Sequence, residues 1–363
     1  AAAGADVISV DFNANTVSTM SSFVLSTAIT QVADASDNRT FAVQMAGIED
    51  GDSITFKANV TGEAGTAAAD EDGSDAIVLT SLVDGGTNVI DVELTGGVTL
   101  TGGLAIDNGA NDGETGGDAI EAGTFETMNI TSSGTTANTI AGGSGAGGTD
   151  GVSVRVNTNG KIVVTGDRDI DLGTVGGTNA TIDGSGFTGK LTVVGEAGNN
   201  VIKGGSAIDT LNGGAGQDTL TGGASADTFI FATAQNGGAP SATVFDIIID
   251  FNTGGSDKID WDAALTLDAA ATAAVAGTAL VSAAGLATFH SADDTLAERI
   301  AAAADGFDAD GDFSFFESGS DSYVIISGDA NGTQDAADSL IKLTGVSGLT
   351  TAVVDGSGDI TLS

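Results

Sequence analysis

The sequence predicts an all-β protein, in which a parallel β-solenoid lies between an N-terminal β domain and a C-terminal β cap carrying a short helix. Three observations support this prediction. Short runs rich in β-branched and aromatic residues recur between Gly/Asn/Asp turns along most of the chain. Helix-forming segments are sparse. A nine-residue period fills residues 195–230, and such a period is typical of a solenoid.

The nine-residue period consists of four consecutive blocks, GEAGNNVIK, GGSAIDTLN, GGAGQDTLT and GGASADTFI. Each block begins with Gly and carries a large apolar residue at its eighth position. The sixth position is Asp or Asn, namely Asn200, Asp209, Asp218 and Asp227. Gly-rich turns reach backbone angles that residues with a Cβ avoid. The three residues after each turn, such as Thr219–Thr221, are expected to be extended, with the central side chain pointing inwards.

Two blocks close one 18-residue coil of a parallel roll, so blocks two apart are expected to stack. Asn200 then lies over Asp218 on one edge, and Asp209 lies over Asp227 on the other. Stacked carboxylates repel each other unless a cation lies between them, and ligands made only of oxygen atoms select Ca²⁺. The predicted metal ligands of the roll, turn carbonyls included, are Asn200, Gly204, Gly205, Ala207, Asp209, Gly213, Gly214, Gly216, Asp218, Gly222 and Asp227.

The blocks match G-G-x-G-x-D-x-U-x, the calcium-binding nonapeptide of RTX proteins, and the chain is identified by this motif as a member of that family. Only residues 213–221 fit every position, because Glu196, Asn200, Ala207 and Ser225 depart from the pattern. The resemblance implies an RTX β-roll with Ca²⁺ as its cofactor. A flexible Gly-rich linker is the alternative, but such a linker has no reason to keep register through four blocks.

The composition indicates a chain that can bury a core but whose negative charge opposes folding unless it is compensated. The 363 residues carry a net charge of −40, from 50 acidic and 10 basic residues, so self-repulsion opposes folding in calcium-free water. The few scattered Lys and Arg exclude binding of nucleic acid through a basic patch. Cysteine is absent, so no disulfide stabilises the chain. If the protein is secreted, as the resemblance implies, bound Ca²⁺ is the evident substitute. No apolar run is long enough for a transmembrane helix.

Residues 1–100 are predicted to form a β-rich domain, either a sandwich or the start of the solenoid. The predicted strands include Val7–Phe12, Phe23–Leu25, Phe41–Met45, Ser53–Lys57 and Val89–Leu94. Within this region, the acidic loop at 64–75 is either a solvated tip or a cation site formed by Asp70, Asp72 and Asp75.

Residues 101–231 are predicted to be a β-solenoid that ends in the calcium roll at 195–230. An inserted loop, DNGANDGETGGD, is dense in Asp, Asn and Gly. Its residues Asp107, Asp112 and Asp118 are candidate Ca²⁺ ligands, and a plain turn is the alternative for each of them.

Residues 232–363 are predicted to form the cap. The segment 241–261 resembles the strand, turn and strand that close the roll in many RTX proteins, and an open roll end would expose unpaired backbone groups. A capping box at Ser291–Asp294 predicts a short helix at Thr295–Ala304. Phe313–Phe316 and Tyr323–Ile326 are expected to form a hairpin, followed by strands at Leu340–Leu343 and Ile360–Leu362.

One acidic segment of the cap is a further cation candidate. Asp308, Asp310 and Asp312 alternate as in an EF-hand loop, but Phe313 replaces the sixth-position Gly and Glu317 comes two residues early. A cation bound in this turn is one interpretation, and a plain acidic entry into the hairpin is the favoured one.

The residues do not predict an enzyme. His290 is the only histidine, which excludes a zinc protease of the His-Glu-x-x-His kind within this chain. A Gly-x-Ser-x-Gly elbow leading into a helix is also missing from the sequence. With one Trp and one Tyr, the chain has few aromatic side chains for stacking sugars in a glycosidase cleft.

Roughly residues 125–363 resemble the C-terminal part of RTX surface-layer proteins of Gram-negative bacteria. This resemblance implies type I secretion through a C-terminal signal, followed by Ca²⁺-triggered folding and self-assembly outside the cell into a lattice or filament. Copies of the same chain are then the main partner, and cell-surface polysaccharide is a further candidate. The alternatives are an adhesin or biofilm-matrix protein, and the calcium-dependent secretion domain of a larger RTX enzyme.

Overall fold

The computed structural model describes residues 8–11, 22–30, 43–48, 52–61, 77–81, 88–101, 104–106, 125–141, 152–156, 158–251, 257–261, 263–267, 274, 276–305, 307, 309–329 and 334–363. Several predicted cation ligands lie outside these described residues, namely Asp70, Asp72, Asp75, Asp107, Asp112, Asp118 and Asp308.

The chain divides into two compact units, Ala1–Glu196 and Ala197–Ser363. The three regions proposed from the sequence, 1–100, 101–231 and 232–363, stay a prediction. Within the described ranges, no helix is long and apolar enough to cross a membrane.

The first unit consists of β-strands. They are β1 (Ile8–Asp11), β2 (Phe23–Leu25), β3 (Ile29–Thr30), β4 (Val43–Ile48), β5 (Ser53–Phe56), β6 (Val60–Thr61), β7 (Ile77–Ser81), β8 (Asn88–Thr95), β9 (Thr99–Thr101), β10 (Leu104–Ile106), β11 (Phe125–Ser133), β12 (Asn138–Ala141), β13 (Val152–Arg155), β14 (Lys161–Gly166), β15 (Ile170–Gly176), β16 (Thr181–Asp183) and β17 (Leu191–Gly195).

Strands of the first unit pair in parallel in two sheets, and β3, β6, β9 and β12 form a further parallel column that joins the first sheet at β15. This first sheet contains β1, β4, β7, β10, β13, β15 and β17 in that order. The other contains β2, β5, β8, β11, β14 and β16. This arrangement is that of a parallel solenoid. It favours the start of a solenoid over an immunoglobulin-type sandwich for the first hundred residues, because such a sandwich is antiparallel.

Apolar columns inside the coils hold the first unit together. Met128 pairs with Ile162, and Ile162 pairs with Ile182, so these side chains stack from rung to rung. All three are fully buried, whereas their neighbours Lys161 and Val163 are half-exposed. The alternation follows from the two-residue period of a strand. Each buried aliphatic side chain contributes about 1.5–3 kcal/mol of transfer free energy.

The second unit contains the roll and the cap. Its elements are β18 (Val201–Lys203), β19 (Thr210–Asn212), β20 (Thr219–Thr221), β21 (Thr228–Phe231), β22 (Asp246–Ile248), β23 (Lys258–Trp261), β24 (Thr266–Leu267), β25 (Leu280–Val281), β26 (Ala287–Thr288), α1 (Leu296–Ala304), β27 (Asp312–Ser318), β28 (Asp321–Ile326), β29 (Ser339–Leu343), β30 (Ala352–Val354) and β31 (Ile360–Leu362).

The roll is parallel and the cap is mostly antiparallel. Strands β18, β20 and β22 pair in parallel in one sheet, and β19, β21 and β23 do so in the other. Strand β29 continues the first of these sheets in parallel. Strand β28 then pairs antiparallel with β29, and β27 pairs antiparallel with β28 as the predicted hairpin. Strand β31 lies antiparallel to β23. The last rungs of the roll therefore have partners for their backbone groups, as a cap requires.

Helix α1 is the predicted short helix of the cap, with a different capping residue. The capping box is formed by Thr295 and Glu298, and not by residues 291–294. The side chain of Thr295 accepts from the N–H of Glu298 at 3.3 Å, and the Glu298 carboxylate accepts from the N–H of Thr295 at 3.0 Å. The inner face of the helix, with Ile300, packs on Phe316 and Tyr323. This contact fixes the helix against the hairpin.

Candidate metal centre

The apolar eighth positions of the four blocks form the core of the roll. Ile202, Leu211, Leu220 and Phe229 are each 0% exposed. The residues on either side of each are half-exposed, because successive side chains of a strand point to opposite faces. Since each sixth-position residue precedes its core residue by two, the buried side chain also fixes where the Asp or Asn lies.

Blocks two apart stack as the period predicts. Val201 pairs with Thr219, and Thr210 pairs with Thr228. The main-chain N–H of Asn200 donates to Oδ1 of Asp218 at 2.7 Å. On the other edge, the N–H of Asp209 donates to Oδ1 of Asp227 at 2.8 Å. Each sixth-position residue is thus tied to the carboxylate one coil further on.

Both edges continue beyond the four blocks, which the sequence analysis missed. The N–H of Asp218 donates to Oδ1 of Asp246 at 2.8 Å, and the N–H of Asp227 donates to Oδ1 of Asp257 at 3.0 Å. We call Asn200, Asp218 and Asp246 the first ladder, and Asp209, Asp227 and Asp257 the second ladder. A signal was present, since DII at 246–248 and DKI at 257–259 keep the Asp-x-apolar order of the nonapeptide.

The first Gly of a block leaves room for the Asp of the same block. A Cβ on Gly204 would lie 2.4 Å from Oδ2 of Asp209. The corresponding distances are 2.3 Å from Gly213 to Asp218 and 2.4 Å from Gly222 to Asp227. Real Cβ atoms do not approach that closely, so Gly at this position lets the carboxylate bend back over the turn. The sequence period therefore reflects a steric requirement of the ladders.

Burial raises the pKa of three ladder carboxylates. It raises the pKa of Asp218 to about 7 and that of Asp246 to about 8, because desolvation disfavours the charged form. The pKa of Asp227 is also raised to about 7, first by burial and further by the like charges of Asp209, Asp257 and Asp250. A cation between the carboxylates would offset both the desolvation of the charged form and the repulsion between the like charges.

Asp250 adds a fourth acidic side chain beside the second ladder. Its two carboxylate oxygens accept from the N–H groups of Gly222 at 2.9 Å and Gly223 at 2.8 Å. Asp209 makes a similar contact with a turn, because its Oδ2 atom accepts from the N–H of Gly205 at 2.6 Å. Asp250 was not among the predicted site residues, and it orders the turn that begins the fourth block.

The residues fit a hard cation such as Ca²⁺. Asp227 is 1% exposed, and its Oδ2 atom accepts no hydrogen bond. In the part of the chain that the structure describes, no three His, Cys, Asp or Glu side chains converge on one point. A site in the roll must therefore combine pairs of carboxylates with turn carbonyls, and oxygen donors in flexible number are what Ca²⁺ accepts.

The other predicted ligands of the roll lie in its turns. Gly205 is buried and donates its N–H to Oδ2 of Asp209, and Ala207 is half-buried. The N–H of Gly214 donates to Oδ1 of Asn212 at 2.8 Å. The N–H of Gly216 donates to a main-chain carbonyl of the next coil, that of Gln235, at 2.6 Å. These residues shape the turns, and the ladder carboxylates supply the charge.

The acidic entry into the cap hairpin has a structural role. Asp310 is exposed. Asp312 is 4% exposed, begins β27, and accepts from the N–H of Ala309 at 2.9 Å through its Oδ2 atom. The side chain of Asp312 thus caps the turn that precedes the strand, which agrees with a plain hairpin entry.

The comparison with protein families agrees with this geometry. A family model described as the RTX calcium-binding nonapeptide repeat, in four copies, matches residues 194–229. A search of curated proteins gives no match to the chain. The chain therefore carries RTX repeats, and the cofactor of its roll is Ca²⁺. RTX repeat proteins are typically secreted. The matched residues include four members of the ladders and exclude Asp246 and Asp257.

Proposed function

We propose that this RTX repeat protein is a structural, self-assembling extracellular protein, a subunit of a surface-layer lattice or filament that folds and assembles in the presence of Ca²⁺. The observation that carries the proposal is the pair of buried carboxylate ladders, because they make a stable roll depend on charge compensation. The net charge of −40 extends this dependence to the whole chain.

The ladders provide a physical reason for folding only outside the cell. Where Ca²⁺ is scarce, Asp218 and Asp227 must either be buried as anions or take up protons, and both options cost free energy near neutral pH. The chain then stays unfolded and suited to type I secretion. Bound Ca²⁺ supplies two positive charges between stacked carboxylates. Each site stabilises the folded state by RT ln(1 + [Ca²⁺]/Kd), so millimolar Ca²⁺ drives folding.

An edge of the cap supports the assembly part of the proposal. Among the described strands, β30 pairs with β31 alone, although the N–H of Ala352 at its start donates to the carbonyl of Ala284 at 2.9 Å. Val353, in the middle of β30, is 50% exposed. An exposed apolar side chain on the last strand of a sheet is a surface on which another copy can pack. This edge is a candidate contact between subunits.

The test is a Ca²⁺ titration of the purified chain, followed by light scattering and electron microscopy. Ordered sheets or fibres that form with Ca²⁺ and disappear with a chelator are expected. Val353→Lys is the matched variant, since it should fold with the same Ca²⁺ dependence and assemble less. A chain that folds with Ca²⁺ and remains monomeric at every concentration would overturn the proposal.

A second candidate function, an adhesin or biofilm-matrix protein that binds cell-surface polysaccharide, is favoured by one pocket of the cap. The pocket has a volume of about 450 Å³, and its lining includes Phe289, Asp293, Arg299 and Glu317. The side chains of Asp293, Arg299 and Glu317 are polar groups of the kind that hydrogen-bond sugar hydroxyls. Glycan binding that is lost in Asp293→Asn would support this function, and a chain that binds no glycan would remove it.

The third candidate is the secretion domain of a larger RTX enzyme. We propose that the chain itself is not an enzyme, because His290 is its only histidine and no nucleophile motif accompanies it. A gene that encodes a catalytic domain ahead of this chain would support the third candidate. A gene that encodes no such domain would leave the structural role.

A further inference from the structure

The first step of the first ladder is closed by an amide. Nδ2 of Asn200 donates to the carbonyl of Gly213, in the next coil, at 3.1 Å and to the carbonyl of Gly198, in its own turn, at 3.3 Å. The two turns are therefore joined by direct hydrogen bonds. In the step from Asn200 to Asp218, the side-chain N–H groups lie where a cation would otherwise meet the turn carbonyls.

The equivalent step of the second ladder brings two acceptors together. A Cβ on Gly204 would lie 2.4 Å from Oδ2 of Asp209 and 2.3 Å from the carbonyl oxygen of Gly222. Both oxygens thus border the same small space, and the carbonyl belongs to the following coil. Neither atom can donate a hydrogen bond to the other, so a cation is the natural bridge in the step from Asp209 to Asp227.

The next step of the second ladder, from Asp227 to Asp257, extends beyond the nonapeptides. Oδ1 of Asp227 accepts from the N–H of Asp209, which lies in the preceding coil. Oδ2 of Asp227 lies against Gly222 as Oδ2 of Asp209 lies against Gly204, and Oδ1 of Asp257, in the following coil, accepts from the N–H of Asp227. The buried Oδ2 of Asp227 has no hydrogen-bond donor. It therefore marks a place for a cation.

The first ladder also ends on an amide. Nδ2 of Asn236 donates to Oδ2 of Asp246 and, at 3.3 Å, to the carbonyl of Leu340. Oδ1 of Asn236 accepts from the N–H of Leu340 at 2.8 Å. Asn236 is 1% exposed, so this amide joins the ladder to the cap without an ion. In contrast, every member of the second ladder is a carboxylate.

We propose that the step from Asp227 to Asp257 binds a Ca²⁺ ion outside the nonapeptide repeats, and that the amide of Asn200 replaces an ion in the step from Asn200 to Asp218. The calcium of the roll is then concentrated on the second ladder. Asp257, from the strand after the repeats, becomes a ligand that the motif does not contain. The inference rests on calcium binding by the roll and does not depend on self-assembly.

The experiment counts the Ca²⁺ ions bound per chain at saturation, by equilibrium dialysis of the full chain and of two variants. Asp257→Asn keeps the shape of the side chain and the acceptor for the N–H of Asp227, and it should bind one Ca²⁺ fewer than the unaltered chain. Asn200→Asp restores the motif residue and should bind one Ca²⁺ more.

If Asp257→Asn folds poorly, the additional Ca²⁺ expected in Asn200→Asp still provides a test. An unchanged count in a folded Asp257→Asn chain would overturn the extra site, and an unchanged count in Asn200→Asp would overturn the role of the amide. If the numbers of bound Ca²⁺ ions are as expected but the chain does not assemble, the result would contradict the proposed function and leave this inference in place.

Discussion

The main-chain N–H of Asp227 donates to Oδ1 of Asp257 at 3.0 Å, the same contact that Asp209 makes with Asp227 at 2.8 Å. Asp257 lies outside the four repeats, yet it occupies the next rung of the same ladder. The geometry of the ladder is therefore a property of the parallel coil, and any Asp that precedes an inward apolar residue by two can join it. Ladder residues should consequently act on folding together.

Removing a ladder carboxylate should make folding require more Ca²⁺. Asp209→Ala and Asp218→Ala are each expected to raise the Ca²⁺ midpoint for folding by about tenfold or more, equivalent to at least about 1.4 kcal/mol. Asp209→Ala deletes a buried carboxylate of the second ladder, and Asp218→Ala deletes the buried acceptor that ties Asn200 to the next coil. The midpoint can be followed by the fluorescence of Trp261, the only Trp of the chain.

Asp70→Ala is the control for this series, because Asp70 belongs to an acidic loop away from the nonapeptides in sequence. Its midpoint should shift far less than those of the two ladder variants. Three equal shifts would show that the ladders are not the main calcium sites.

A methyl group at the first Gly of a block should displace the ladder carboxylate. A Cβ in Gly222→Ala would lie 2.4 Å from Oδ2 of Asp227. We expect this variant to raise the Ca²⁺ midpoint about as much as Asp227→Ala does. Gly238→Ala is the matched control, since its Cβ would meet nothing closer than Cγ1 of Val244 at 3.8 Å. Equal behaviour of the two Gly variants in a calcium titration would contradict the steric argument.

The regular part of the fold was predictable because its period is local. Four blocks of nine residues place Leu211 and Leu220 inside the roll, and both are fully buried. The stacking of Asn200 on Asp218 followed from the same period, and the hydrogen bond between them is present. Gly and apolar residues at fixed spacing impose this geometry without help from the rest of the chain.

The remaining site features depend on contacts that the period does not contain. Asp246 lies 28 residues after Asp218, and Asp257 lies 30 residues after Asp227, instead of 18. The longer turns break the repeat, although the rungs continue. The role of Asn236 depends on Leu340, 104 residues away in the chain. Only the folded cap brings such a pair together.

Helix α1 should depend on Thr295 and not on the predicted capping position. Thr295→Ala removes the side chain that accepts from the N–H of Glu298, and it should lower the free energy of unfolding by about 1 kcal/mol. Ser291→Ala alters the exposed residue where the sequence predicted the capping box, and it should change stability little. Denaturant unfolding in saturating Ca²⁺ measures both variants. A larger loss in Ser291→Ala than in Thr295→Ala would contradict this capping geometry.

The buried carboxylates should make the calcium-free roll more stable in mild acid. Burial holds the pKa of Asp218 and Asp227 at about 7 and that of Asp246 at about 8, whereas unfolded Asp has a pKa of about 3.9. Between about pH 4 and pH 8 the folded state therefore binds more protons than the unfolded chain. Its free energy of unfolding should fall as the pH rises through this range, because stability decreases wherever the native state holds the extra protons.

Calcium binding should show the opposite dependence on pH. Because the ladder carboxylates must lose their protons to bind Ca²⁺, the Ca²⁺ midpoint should rise as the pH falls from 8 to 6, by up to about tenfold per pH unit for each proton released. Trp261 fluorescence in buffered calcium solutions measures this shift. Asp246→Asn removes the carboxylate with the highest of the three pKa values, so its midpoint should depend less steeply on pH. A midpoint that is constant between pH 6 and 8 would show that protons and Ca²⁺ do not compete for these side chains.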